Sequence, residues 1–399
     1  MKVHRAVIRL SAAHFFVDSY SSMLGAFLPF LHDELNLSLT QAGILGGCLI
    51  VSGSLLQPIY GYLADRFPHQ LFAALGPAVA GIFISSLGLA PNFPALMVLV
   101  ILGGIGVAMF HPQGAAAASR ADEQGRGFQL SVFITVGIIG YSIGPVYVTS
   151  VILLAGLKQS YWAALPGIAI SLYLLLRGSV PVEIRRRSRQ GLMLRQVLKR
   201  LRPLLLLYFL VVIRSALHLV FVAFLPLYFT GRGFGEFRSS QFLTLFLFVG
   251  GVFGFLGGVL SDRIGGKTVI CLSILGFIPA LLGFLLTQGL LSVVLCALGG
   301  GFLLLTLSVN VAMAQKLVPE GASTVSALMM GFAWGIGGAA VPLVGVLSDQ
   351  FGFQPTLIGL VLCSLSSLPL ALALPTRRGM EVGAHREAGS TPPLRAAGG

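Results

Sequence analysis

Apolar residues run along this chain in long unbroken stretches rather than alternating with polar ones. Spanning a bilayer takes about 20 consecutive mostly apolar residues in a helix. Twelve such stretches are read, over residues 7–31, 40–64, 71–90, 94–117, 127–152, 160–179, 203–229, 240–261, 268–287, 290–315, 322–347 and 353–374. Turn residues and charges break them, at Asp33–Glu34, Pro91–Asn92, Gly231–Gly235 and Pro319–Gly321. A membrane strand would show alternating polarity, so continuous runs of this length predict helices. The expected architecture is an all-α polytopic membrane protein with 12 transmembrane helices.

Composition agrees with that pattern. Of 399 residues, 56% are hydrophobic and 10% charged. A soluble domain carries about 25% charged residues, so an ordinary cytosolic enzyme, a disordered chain and a secreted disulfide scaffold are excluded. The four cysteines, Cys48, Cys271, Cys296 and Cys363, lie singly in apolar stretches with no metal-ligand spacing. The first stretch is basic and then apolar, as in a signal peptide. Asp18 interrupts it and no small-residue cleavage site follows, so it reads as a retained first helix.

There are 26 Lys+Arg against 13 Asp+Glu. In a soluble chain this excess would suggest nucleic acid; here it marks loops on the cytoplasmic side. With the N-terminus inside, only Lys158, Arg232 and Arg238 fall on the opposite side, and Arg214 falls within a span. Both termini are therefore expected in the cytoplasm. The basic segment 180–202 divides the spans into a first bundle, 1–179, and a second, 203–374, and is read as a cytoplasmic linker lying partly on the membrane surface. The Gly-, Pro- and Ala-rich tail, 375–399, is expected to be a disordered cytoplasmic extension.

An internal repeat underlies the two bundles. Gly61-Tyr62-Leu63-Ala64-Asp65-Arg66 is echoed by Gly258-Val259-Leu260-Ser261-Asp262-Arg263, Ala26–Pro29 by Ala223–Pro226, and Gly140 with Pro145 by Gly337 with Pro342, all at an offset of 197 positions. One offset shared by three separate helices predicts parallel repeats, two six-helix bundles related by a pseudo-two-fold axis along the membrane normal, with a central cavity and alternating access by rocking.

The repeated G-x-x-x-D-R element, extended in the second copy to Lys267, falls at the cytoplasmic end of an even-numbered helix. Asp65, Arg66, Asp262, Arg263 and Lys267 are read as a gate latch, against a simpler role as solvated helix-end charges. This element, present twice, resembles the signature loop of the major facilitator superfamily, and the resemblance extends over the whole chain.

Ionisable side chains inside spans are costly and mark candidate transport pathways. Here they are His14 and Asp18 on helix one, His111 on helix four, and Arg214 and His218 on helix seven. His14 and Asp18 share one helix face, as do Arg214 and His218. The repeat offset carries position 18 to 215, next to Arg214. Asp18 and Arg214 are therefore expected at nearly equal depth across the path, with Arg214 pairing an anionic substrate or Asp18, and Asp18 or a nearby histidine carrying the coupling proton. A permanent structural Asp–Arg or Asp–His bridge is the alternative.

Helix four carries Phe110-His111-Pro112-Gln113, where Pro112 is expected to kink the helix and His111 and Gln113 to present polar groups beside the kink. In helix five, Gly137, Gly140, Gly144 and Pro145 serve a hinge or close packing. These stretches, with His14–Asp18, Leu55–Pro58, Ser131–Phe133 and Arg214-Ser215, resemble the fosmidomycin resistance protein family of drug efflux transporters. The resemblance implies proton-driven export of small drugs, including an anionic phosphonate. The chain departs from the family at Val17, where Asn is usual, and at Gln113, where Glu is usual.

No nucleotide-binding loop and no paired carboxylates or nucleophile triad are present, so neither an ATP-driven pump nor an intramembrane enzyme is supported. The expectation is a monomeric inner-membrane secondary transporter, a proton-coupled antiporter of small drugs or organic anions. It would use the proton gradient and no cofactor or metal, with a small-molecule substrate, protons and lipid as partners and no nucleic acid. A solute importer or lipid flippase on the same fold is the alternative, and a membrane receptor or enzyme the reading from a different class.

Overall fold

A computed structural model describes residues 3–64, 71–121, 126–177, 198, 200–318, 325–326 and 328–375. These residues are helical, joined by short turns. The first half runs α1 (Arg5–Leu35), α2 (Leu39–Leu55), α3 (Gln57–Ala64), α4 (Leu71–Ser85), α5 (Phe93–Arg120), α6 (Arg126–Ala155) and α7 (Leu165–Arg177). The second runs α8 (Leu201–Thr230), α9 (Glu236–Ile264), α10 (Gly266–Leu286), α11 (Gly289–Leu304), α12 (Leu307–Leu317), α13 (Ala333–Gly338), α14 (Ala340–Phe351), α15 (Phe353–Cys363) and α16 (Ser367–Leu372), with a π-helical turn, Leu328–Phe332, before α13. α2 and α3 together make one span, as do α11 with α12, α13 with α14, and α15 with α16.

Among the described residues, eleven helical stretches are long and apolar enough to cross a membrane. α1 is the twelfth expected span; its 31 residues suffice in length. Ser11, His14, Asp18, Ser19, Ser21 and Ser22 make it the most polar of the long helices, which is why it falls outside the apolar set. Large apolar side chains point outward on many helices, among them Leu154, Leu176, Phe255 and Leu290, each at least 70% exposed. Water would not tolerate such a belt, and lipid satisfies it.

The turns carry the expected chemistry. Ser38 and Gln41 form a capping box at the start of α2, and Asn92 accepts from the Ala95 N–H to start α5. Gly265 and Gly352, at φ 86° and 87°, reverse the chain between consecutive spans in a left-handed conformation only glycine adopts freely.

Lipid tails give helices no hydrophobic reason to associate, so close packing of small residues holds the bundle. A Cβ at Gly140 of α6 would collide with the Phe15 carbonyl of α1, and one at Gly144 with the Ser19 carbonyl. Ser19 Oγ bridges the crossing by donating to the Gly140 carbonyl at 2.9 Å. The second half builds the same crossing from the repeat partner: a Cβ at Gly337 of α13 would collide with Ser215 Oγ and lie 2.8 Å from the Ala216 nitrogen of α8. In this conformation the α6 glycines therefore serve close approach, not a hinge. Gly140→Ala should cost about 1–3 kcal/mol of stability through overpacking, read as a lowered Tm of the purified protein. Gly331→Ala, where a Cβ meets nothing within 4 Å, should leave Tm unchanged.

Among the described residues, the halves meet where α1 lies on α8, with Gly25 against the Val222 carbonyl; where α2 lies on α13 and α14, with Gly43 and Gly47 against Val341 and Pro342; and where α6 lies on α9, with the Thr149 and Ser240 hydroxyls 2.7 Å apart. At the end of the molecule where α1 finishes and α2 begins, Asp349 of α14 reaches across. It accepts from the Leu39 and Thr40 N–H groups at 3.1 and 2.8 Å and from Thr40 Oγ1 at 2.6 Å. A carboxylate from one half thus satisfies the open N-terminal donors of a helix in the other.

Candidate functional site

His14 and Asp18 lie one helical turn apart on α1, on the face turned toward α5 and α6. Asp18 sits between two imidazoles. Its Oδ2 is 3.1 Å from His14 Nε2, and its Oδ1 is 3.0 Å from His111 Nε2 on α5. Both rings are fixed from behind: His14 Nδ1 is 2.9 Å from the Phe133 carbonyl of α6, and His111 Nδ1 is 2.9 Å from the Val107 carbonyl one turn earlier in α5. The His14 ring also stacks on Phe133, with centroids 4.1 Å apart. Gly137 of α6 makes room for the pair, since a Cβ there would collide with the His14 ring and lie 2.7 Å from Asp18 Oδ2. The cluster is buried at His14, while Asp18 and His111 keep 16% and 27% of their side chains exposed. One flank is closed by protein and the other open to exchange.

Among the described residues, His14, Asp18 and His111 are also the one group whose donor atoms, within 4.8 Å of one another, offer a set that a metal ion could use. The 3.0 and 3.1 Å separations are hydrogen-bond lengths. A tetrahedral ion about 2.0–2.1 Å from each ligand would hold those atoms farther apart. The geometry is that of a hydrogen-bonded relay.

Arg214 and His218 occupy α8. Arg214 is 6% exposed, with Nη1 3.5 Å from the Leu303 carbonyl and its guanidinium 5.8 Å over the Trp334 ring. Its Nε has no hydrogen-bond partner among the described residues, nor has Asn310 Oδ1, and both residues line a small cavity with Ser273, Thr306 and Ser367. His218 stacks on Phe246, packs against the edge of Trp334, and lies 6.4 Å, centroid to centroid, from Tyr141 of α6. Tyr141 and His218 thus bring the two halves together between the Asp18 cluster and Arg214.

Two expectations need correcting for this conformation. Asp18 is joined to His14 and His111, not to Arg214. The repeat offset matches Asp18 to Ser215, and one residue turns a helical side chain by about 100°. Equal depth therefore does not mean facing side chains: Asp18 turns to α5 and α6 of its own half, and Arg214 to α10–α12 of its own. Gln113 does not stand beside His111. Two residues on, it faces the other way and its Oε1 accepts from the Ala73 N–H at 2.8 Å, holding the start of α4. A carboxylate could accept that bond equally, so Gln113→Glu should retain transport, as initial rates in vesicles would show. Pro112 lies in α5 with no break in the helix.

In the second copy of the repeated loop, Asp262 and Arg263 occupy the last turn of α9. Lys267 donates to the Leu372 and Leu374 carbonyls at 2.5 and 2.9 Å, tying the end of the last span to the start of α10. Asp65 and Arg66, most of the linker 180–202, and the tail beyond Pro375 lie outside the described residues. Sequence reasoning missed Tyr141, Trp334 and Asp349. Tyr141 had a signal, directly following the close-packed Gly140. Asp349 had none, because its partners are some 300 positions away.

A bundle of long apolar helices enclosing ionisable side chains, with two halves that meet along glycine-lined seams, defines a multi-pass membrane transporter. The sequence profile of the Major Facilitator Superfamily matches residues 10–342, and the chain belongs to that family. It is 27% identical over 388 residues to the uncharacterized MFS-type transporter YfnC of Bacillus subtilis (strain 168), covering 94% of this chain and 93% of that one. It is 29% identical over 357 residues to the fosmidomycin resistance protein of Escherichia coli (strain K12), covering 86% of each. Among solved structures, a bacterial homologue of the human lysosomal transporter Spinster, in an inward-facing and occupied conformation, superposes with a TM-score of 0.79 at 14% identity. That match covers 93% of this chain and 97% of the other. The nucleoside transporter NupG gives 0.73 at 15% identity, covering 93% and 99%. The family and the fold are those of a transporter, not an enzyme.

Proposed function

We propose that the protein is a proton-coupled exporter of small organic anions in the bacterial inner membrane, with both termini cytoplasmic. The observation that carries this reading is the Asp18 carboxylate held between His14 and His111 inside the membrane span, half-open on one flank. Such a group can take a proton from one side and release it to the other as the halves rock. Arg214 supplies the complementary charge. A buried guanidinium with no carboxylate within ion-pair distance among the described residues is costly, and an anionic group offsets that cost. The likeness to the fosmidomycin resistance protein supports export as the direction and a compact drug carrying a phosphonate or similar anion as the substrate class.

Two measurements test this. A susceptible strain overproducing the protein should tolerate more fosmidomycin and accumulate less of it; raised accumulation would mean import and overturn the direction. Proteoliposomes with an imposed pH gradient should move the drug against the proton flow, and no response to the gradient would overturn the coupling. Arg214→Ala should raise the KM for an anionic substrate at least tenfold, equivalent to about 1.4 kcal/mol, in protein that still inserts and purifies.

A further inference from the structure

The hydrogen bonds around Asp18 count its protons. A backbone carbonyl can only accept, so the His14 contact with Phe133 and the His111 contact with Val107 each require a hydrogen on Nδ1. A neutral imidazole has one N–H, so in that tautomer both Nε2 atoms would present lone pairs. Each instead lies 3.0–3.1 Å from a carboxylate oxygen. Lone pair against lone pair at that distance is repulsive, and each contact becomes a hydrogen bond only with a proton in it. Two contacts to two different oxygens need two protons. They can sit as two imidazoliums on a carboxylate, or as one imidazolium with the second proton on the carboxyl group. The sum is the same.

We infer that the His14–Asp18–His111 cluster loads two protons together, and that two protons, not one, are the coupling ions of a transport cycle. Relative to the empty cluster, Asp18 carboxylate with two neutral rings, loading adds two protons and takes the net charge from −1 to +1. The empty cluster cannot keep all four contacts, because each neutral ring has one N–H and turns a lone pair either to the carboxylate or to its backbone carbonyl. Unloading must therefore break one contact on each ring. Of the contacts that hold α1 against the rest of its half, the one from Asp18 to His111 depends on a titratable proton, whereas the Ser19 hydroxyl donating to the Gly140 carbonyl does not.

The neighbouring elements leave the count unchanged. α6 presents Tyr141, and beyond it α8 presents His218. Among the described residues, the only ion pairs to Asp18 come from the two histidines.

The coupling role rests on the proton-driven reading above, but the count does not, and it can be read without a substrate. The full chain, labelled with 15N at histidine and held in lipid nanodiscs, would be titrated between about pH 9 and pH 5, the range around an ordinary histidine. Ring nitrogen signals separate imidazolium from neutral imidazole, and His14→Gln and His111→Gln assign the two rings. The Asp18 carboxyl is read by infrared difference against Asp18→Asn. The expected result is two protons gained by the cluster. In Asp18→Asn the amide donates to one ring and accepts from the other, so one proton is expected; this near-isosteric variant keeps the test open if a histidine variant fails to fold. A wild-type count of one or none, or an unchanged count in Asp18→Asn, overturns the inference. A count of two without pH-driven transport would leave the site standing and sink the transport reading. Transport driven by one proton per cycle, with a count of two, would remove the coupling role alone.

Discussion

Asp18→Asn is expected to reduce pH-driven transport sharply while the protein still inserts, purifies and binds its anionic substrate. The amide is nearly the same size as the carboxyl and can bond to both rings, so the packing around Gly137 and Phe133 is kept. What is lost is the negative charge that lets two imidazoles gather protons. The variant gains one proton where the wild type gains two, so the pH gradient supplies half the driving force per cycle. Exchange of substrate for substrate, which needs no net proton movement, should survive better than net transport. Equal loss of both would mean that Asp18 holds the fold instead of coupling ions, and retained gradient-driven transport would remove it from the pathway. His111→Gln should behave similarly but less severely, since His14 still shares a face and a 3.1 Å contact with Asp18.

Asp349→Ala is expected to release the seam between α2 and α14. The carboxylate caps two backbone N–H groups and a hydroxyl of the opposite half. A capping side chain is worth about 1–2 kcal/mol, and the cap exists only while the two halves touch at that end. Removing it should raise the population opened at that end about 5–30-fold. Spin labels on the first turn of α2 and the last turn of α14 would read this as growth of a longer distance. Asp349→Asn, which keeps an acceptor but loses the charge, should fall between. An unchanged distance distribution in the alanine variant would show that the glycine contacts of Gly43 and Gly345 close this end unaided.

The architecture was largely legible because lipid imposes a one-dimensional rule. A helix that must satisfy its own backbone announces itself by length and apolarity, and eleven of the twelve expected spans meet that rule in the structure. The twelfth, α1, was read from an apolar run that Asp18 interrupts, and its polarity is the reason it carries the cluster. His14 and Asp18 could be placed on one face because helical spacing is local. The arrival of His111 could be suspected but not oriented, since it comes from a crossing 93 positions away. The Asp18–Arg214 pairing failed because a repeat offset fixes depth but not rotation about the helix axis. Gln113 was misplaced for the same reason: sequence neighbours two apart on a helix point to opposite sides. The glycines could be read as either hinge or packing until the colliding atoms were known.

The one-residue turn between Asp18 and Arg214 also bears on how a duplicated chain can work. Two copies of the first half, paired about the same axis, would bring together two acidic relays and no guanidinium. Two copies of the second would offer two cations and nothing to load them against. Neither homodimer would couple an ion to a cargo of opposite charge. In the proposed reading the two fused copies divide the work, one handling the driving ion and the other the passenger, from matched positions on unmatched faces.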